Sequence, residues 1–139
     1  MNKIVLLLFA CILLISCSHT NNEPIIKFSG DKHSVEINNI DETSLYQAKK
    51  AFVENPDSSG LMAVFEQPAE MDSIQTERKI KGKIKWIDDT LVFTPDTMFV
   101  TGKSYLIENY IGVMFGTTEK LLRNAVKPQL QPQRQILTR

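Results

Sequence analysis

Lys79-Ile80-Lys81-Gly82-Lys83-Ile84-Lys85-Trp86, followed by Ile87-Asp88-Asp89 and then Thr90-Leu91-Val92-Phe93-Thr94-Pro95, is the stretch on which the fold turns. In an extended chain successive side chains point to opposite faces, so Ile80, Gly82, Ile84 and Trp86 share one face and Lys79, Lys81, Lys83 and Lys85 the other. Asp88-Asp89 interrupts the alternation. The β-branched and aromatic run that follows ends at Pro95, so the two segments predict a hairpin with Leu91 and Phe93 on the Trp86 face.

Outward from this hairpin the same kind of signal recurs. Leu61-Met62-Ala63-Val64-Phe65, bounded by Asp57-Ser58-Ser59-Gly60 and by Pro68, predicts a buried central strand. Residues 104–115, entered through Gly102-Lys103, predict another, with Gly112 as a bulge or bend. Short strands at about ten-residue spacing point to an all-β antiparallel sandwich. Two segments carry helical spacing instead. Leu45, Ala48 and Phe52 recur at i, i+3, i+7, with Asp41 or Ser44 as N-cap and Pro56 as stop, which predicts a helix over 44–54. Leu121, Leu122, Ala125 and Val126, stopped by Pro128, predict a second over 119–126. The Pro/Gln-rich end over 127–134 reads as extended or disordered, with Gln135-Ile136-Leu137-Thr138 available as an edge strand.

The beginning of the chain is a sorting signal. Met1-Asn2-Lys3 supplies a positive start, residues 4–15 are an unbroken apolar run, and Ser16 precedes Cys17. Twelve helical residues cover about 18 Å, well short of the roughly 30 Å hydrocarbon core, so the run reads as a secretory h-region rather than a membrane span. Leu14-Ile15-Ser16-Cys17 resembles the bacterial lipoprotein lipobox. That resemblance implies a diacylglyceryl group on the Cys17 sulfur, cleavage before Cys17 and a further acyl chain on the freed amine. The expected organisation is a signal peptide over 1–16 and a lipidated Cys17 with a polar tether over 17–24. A sandwich domain follows over 25–126, best supported over 60–113, and then a tail or edge strand over 127–139. Extended at about 3.5 Å per residue, the tether holds the domain on the order of 25 Å off the membrane.

Composition narrows the function classes further. With 139 residues the chain has room for one ordinary domain. Sixteen basic residues balance sixteen acidic ones without a run of five like charges, which argues against a nucleic-acid arm. The 42% apolar content argues against an intrinsically disordered chain. Cys11 leaves with the signal, so no disulfide is expected, and His19 and His33 have no metal-ligand companion. No cofactor and no metal are expected.

Three short motifs carry a resemblance. Phe65-Glu66-Gln67-Pro68 with Met71-Asp72, then Thr90-Leu91-Val92-Phe93-Thr94-Pro95, then Gly102-Lys103-Ser104-Tyr105, resemble in order and spacing the bacterial Ig-like domain of the S-layer-protein type. Tyr110-Ile111-Gly112-Val113 extends the likeness, although Met114-Phe115 and Glu119-Lys120 replace what usually follows there. The resemblance implies an Ig-like β-sandwich and a non-catalytic role in an envelope or secreted protein.

The candidate sites each have a plainer reading. Lys79, Lys81, Lys83 and Lys85 are the candidate binding residues, for lipid headgroups or an acidic polymer, because like charges on one face sum their fields. The simpler reading is a sheet face or edge kept soluble. Asp88, Asp89 and Asp96 offer hard oxygens for calcium, or simply a tight turn. Trp86 reads as core. Glu66, Glu70, Asp72 and Glu77 lack a nucleophile or histidine nearby, so no enzyme activity is expected. The expectation is a non-catalytic lipoprotein of the outer membrane, facing the periplasm, that binds or scaffolds another envelope component, a protein or a polymer. The alternative is a carbohydrate- or polymer-binding module, whose platform would come from Tyr46, Tyr105 or Tyr110.

Overall fold

The computed structural model describes residues 23–56, 60–68, 76–115 and 131–139. The Cys17 region and the candidate helix over 119–126 lie outside the described residues. Among the described residues there are eight strands: β1 Ile25–Phe28, β2 Val35–Asn38, β3 Met62–Glu66, β4 Arg78–Lys79, β5 Gly82–Ile87, β6 Thr90–Pro95, β7 Ser104–Asn109 and β8 Gln133–Thr138. They form two four-stranded antiparallel sheets, β1-β2-β6-β5 and β4-β3-β7-β8. Lettered in chain order with β4 as C′, these orders read A-B-E-D and C′-C-F-G.

Alternation places the core. From the first sheet Ile26, Val35, Ile37, Leu91 and Phe93 point inward; from the second come Met62, Val64, Tyr105 and Ile107. Each fully buried aliphatic side chain removes enough apolar surface from water to contribute about 1.5–3 kcal/mol. Ile84 and Trp86 pack partly buried against this cluster, opposite Phe93 and Leu91 as the hairpin reading requires. Phe28, Phe99 and Tyr105 continue it as an edge-to-face stack, with ring centroids 5.2 and 4.7 Å apart. Tyr105 opens β7, and its hydroxyl accepts the Val100 N–H at 2.8 Å, tying the strand to the connection that precedes it.

Two expectations need correction. Residues 79–86 are not one strand. Ile80 N–H bonds Val64 O in the second sheet, whereas Lys81 O accepts from Asp96 N–H in the first, so the chain changes sheets between these residues. The alternation survives because the interior lies on the same side before and after the switch. Gly82 begins β5 pressed onto β6: a Cβ there would lie 2.5 Å from both Phe93 Cζ and Thr94 O. Nor does the strand over 104–115 run through. It stops at Asn109, whose side-chain carbonyl accepts Ile111 N–H, and Ile111–Phe115 turn into a short helix, α2.

Residues 25–54 complete the sandwich and also cap it. β1 and β2 join the first sheet, and Glu42–Glu54 form α1, which bridges from one sheet to the other. Asp41 is the N-cap, its carboxylate accepting Ser44 N–H at 3.1 Å. The helix buries Ser44 and Ala48, and Ser44 Oγ donates to Phe115 O of α2 at 3.1 Å, so the two helices lock over one end of the sandwich. The C-terminal residues are integral to the second sheet: β8 pairs with β7 along its whole length.

Candidate functional site

The four lysines of the candidate binding row are all exposed, but the change of sheet divides them. Lys79 pairs with Phe65 on the outer side of the second sheet, Lys81 sits at the crossing, and Lys83 and Lys85 stand on the outer side of the first. They do not form one charged face. Lys83 and Lys85 lie on β5, an edge strand of the first sheet, where lysines discourage pairing with a neighbouring chain.

Asp88 and Asp89 form the two-residue β5–β6 turn, with Asp88 at φ +49° in the left-handed region that Asp tolerates. Asp96 follows β6 at its far end, with the six residues of that strand and about 20 Å between it and the turn, so the three carboxylates do not converge. Among the described residues no group of three metal-ligating side chains comes together. Asp89 instead accepts from Lys49 Nζ at 2.7 Å, and the same ammonium lies 5.7 Å from the Trp86 ring centroid. This contact ties α1 to the β5–β6 turn. Trp86 faces inward as the alternation requires, with its Nε1 buried and lacking an acceptor among the described residues.

Two carboxylates are held in ionic clusters. Glu66 takes hydrogen bonds from Lys103 and Arg78, which hold its carboxyl below the ordinary range and raise the Arg78 guanidinium. Glu108 is only 5% exposed although it points to the outer side of the second sheet. Arg134 of β8 donates to it from Nε at 2.9 Å and lies 2.7 Å away through its second nitrogen. The Tyr110 hydroxyl also donates to Glu108, and that bond is the main reason the Tyr110 phenol titrates above its usual value. Cations or donors hold both carboxylates, an arrangement that fastens strands together. Gln67 Nε2 bonds Glu77 at 2.9 Å along a shallow depression lined also by Phe65, Pro68 and Thr76. Of the tyrosines, Tyr105 is core, Tyr110 is half-buried, and Tyr46 stands 71% exposed on α1.

Sequence reasoning missed the way the chain enters the domain. Asn39 Nδ2 donates to Glu23 O at 3.0 Å, and Gln133 Nε2 donates to Pro24 O at 2.8 Å. Gln133 Oε1 in turn accepts from Asn109 Nδ2 at 3.0 Å, and Asn109 is 2% exposed. The network joins the entry point to β8, β7 and α2, at the end of the sandwich that the helices cap. It could not be read in advance because its bonds join residues 16, 24 and 109 positions apart that only the folded sheets bring together. Cys17 itself, the expected lipidation residue, lies outside the described residues.

Among the described residues no helix is long and apolar enough to cross a membrane. Compared with protein-family models, with curated proteins and with solved structures, the chain matches none of them.

Proposed function

We propose that the chain is a lipid-anchored envelope protein in which acyl chains on Cys17 fix a non-catalytic Ig-like module at the outer membrane, where the module binds or scaffolds another envelope protein. The observation that carries this reading is the positive start, apolar run and Leu14-Ile15-Ser16-Cys17 sequence, set just ahead of a domain whose first residues are pinned to its body. Two or three acyl chains give stable anchoring, since each buried methylene contributes about 0.8 kcal/mol. The Ig-like identity is supported by the A-B-E-D and C′-C-F-G strand orders and by the Tyr105 corner. The ionic clusters at Glu66 and Glu108 support a role in which the module acts by position.

The test is to crosslink intact cells, purify the protein from detergent-solubilised envelopes and quantify co-purifying proteins against a Cys17→Ala control. A stoichiometric envelope protein recovered with the natural chain and lost with the control is the expected result. Enrichment of glycan or polymer without any protein would replace the scaffold reading with the polymer-binding one.

A further inference from the structure

We infer that the helix-capped end of the sandwich rests on the lipid surface, with Tyr46 and Val53 of α1, Val113 and Met114 of α2, and the neighbouring Ile25 and Ile87 meeting the interface. This rests on the lipid-anchor reading of Cys17 and adds an orientation to it.

The first support is the reach of the chain. Because Glu23 O and Pro24 O are both bonded to the domain, no more than six residue steps separate Cys17 from the first point fixed to it. Fully extended, six residues span at most about 21 Å. The six-residue strands running to the opposite end are themselves about 20 Å long. The end that the chain enters is therefore the end held against the anchor.

The second support is where the exposed apolar side chains lie. A single exposed hydrophobic residue is ordinary on any protein. Among the described residues, however, six of the nine large exposed ones are Ile25, Tyr46, Val53, Ile87, Val113 and Met114. All six fall at this end. Ile25 lies opposite Asn38 and Ile87 opposite Thr90, in the last row of the first sheet before the helices. Tyr46, Lys50 and Val53 recur at i, i+4, i+7 along the exposed side of α1, away from its buried Ser44 and Ala48. An apolar stripe with a lysine whose stem can reach headgroups is suited to an interface. Glu42, Glu54 and Asp88 lie at the same end. Contact is accordingly apolar, without a demand for anionic lipid. Met98 and Val100, by contrast, sit at the opposite end beside the Phe28–Phe99 pair.

The experiment uses the full chain purified as the lipoprotein and reconstituted in vesicles of phosphatidylethanolamine and phosphatidylglycerol. Val53→Cys, Met114→Cys and, as the far-end control, Met98→Cys are each labelled with an environment-sensitive fluorophore, all three sites being exposed so that the fold tolerates the change. Flotation of each sample reads anchoring separately from orientation. The expected result is that all three float, while labels at positions 53 and 114 shift to the blue and are quenched several-fold more than that at 98 by spin-labelled lipid. Floating samples whose labels all remain water-exposed, or are all quenched alike, would overturn the orientation and leave the anchor standing. Failure to float would overturn both.

Discussion

Removing one oxygen from Tyr105 tests the corner that joins β7 to the loop before it. Tyr105→Phe keeps the ring, its 2% exposure and its edge-to-face contact with Phe99, so no cavity opens. What is lost is the acceptor for Val100 N–H, now bonded at 2.8 Å. A net hydrogen bond of this kind contributes about 1 kcal/mol, and leaving its donor unpaired raises the cost toward 2 kcal/mol where water reaches it poorly. For a domain of this size the change lowers Tm by roughly 4–8 °C. Trp86, the single tryptophan, faces the core, so its fluorescence reports urea unfolding directly. The variant should unfold at lower urea with an unchanged m value. Tyr46→Phe, on a ring 71% exposed, is the control and should shift stability by less than about 0.5 kcal/mol. A Tyr105→Phe midpoint equal to that of the control would refute the corner as a structural bond.

Gly82→Ala should destabilise by about 1–3 kcal/mol, because its Cβ would meet Phe93 Cζ and the Thr94 carbonyl at 2.5 Å. Gly112→Ala, where a Cβ meets nothing and the backbone is helical, should be neutral or slightly stabilising by thermal melting. Asp41→Ala removes the α1 N-cap and should cost about 1 kcal/mol in chemical denaturation. Glu66 titrates lower folded than its ordinary 4.5, chiefly through the Lys103 bond and then Arg78. Its stabilisation is therefore full above about pH 4.5 and fades as pH falls through the lower folded value. Denaturation from pH 7 to pH 3 should show the gap between the natural chain and Glu66→Gln, about 1 kcal/mol at neutral pH, closing in the acid range.

How much of this was legible depended on how local the signal was. The β5–β6 hairpin carried its own alternation, turn and terminating proline, and it forms with Trp86 opposite Leu91 and Ile84 opposite Phe93. The α1 helix was legible for the same reason, its cap and stop being adjacent in sequence. The crossing at Ile80–Lys81 was not, because period-two alternation reports which side is interior and not which sheet supplies the partner. One row of four lysines in the sequence is thus divided between the two sheets, with Lys81 at the crossing. The helix at Ile111–Phe115 was hidden by a continuous apolar run, since the strand ends on an Asn109 hydrogen bond that hydrophobicity does not signal. The seat of the chain's entry at Asn39 and Gln133 depends wholly on tertiary contact.

Anchoring of this sandwich as proposed rests on acyl chains carried by Cys17. The mass of the mature amino-terminal peptide, from protein purified out of envelopes, tests this. The expected peptide begins at Cys17, is heavier by a diacylglyceryl group on sulfur and a further acyl chain on the amine, and is absent from the Cys17→Ala variant. A peptide beginning elsewhere, or an unmodified Cys17, would contradict it.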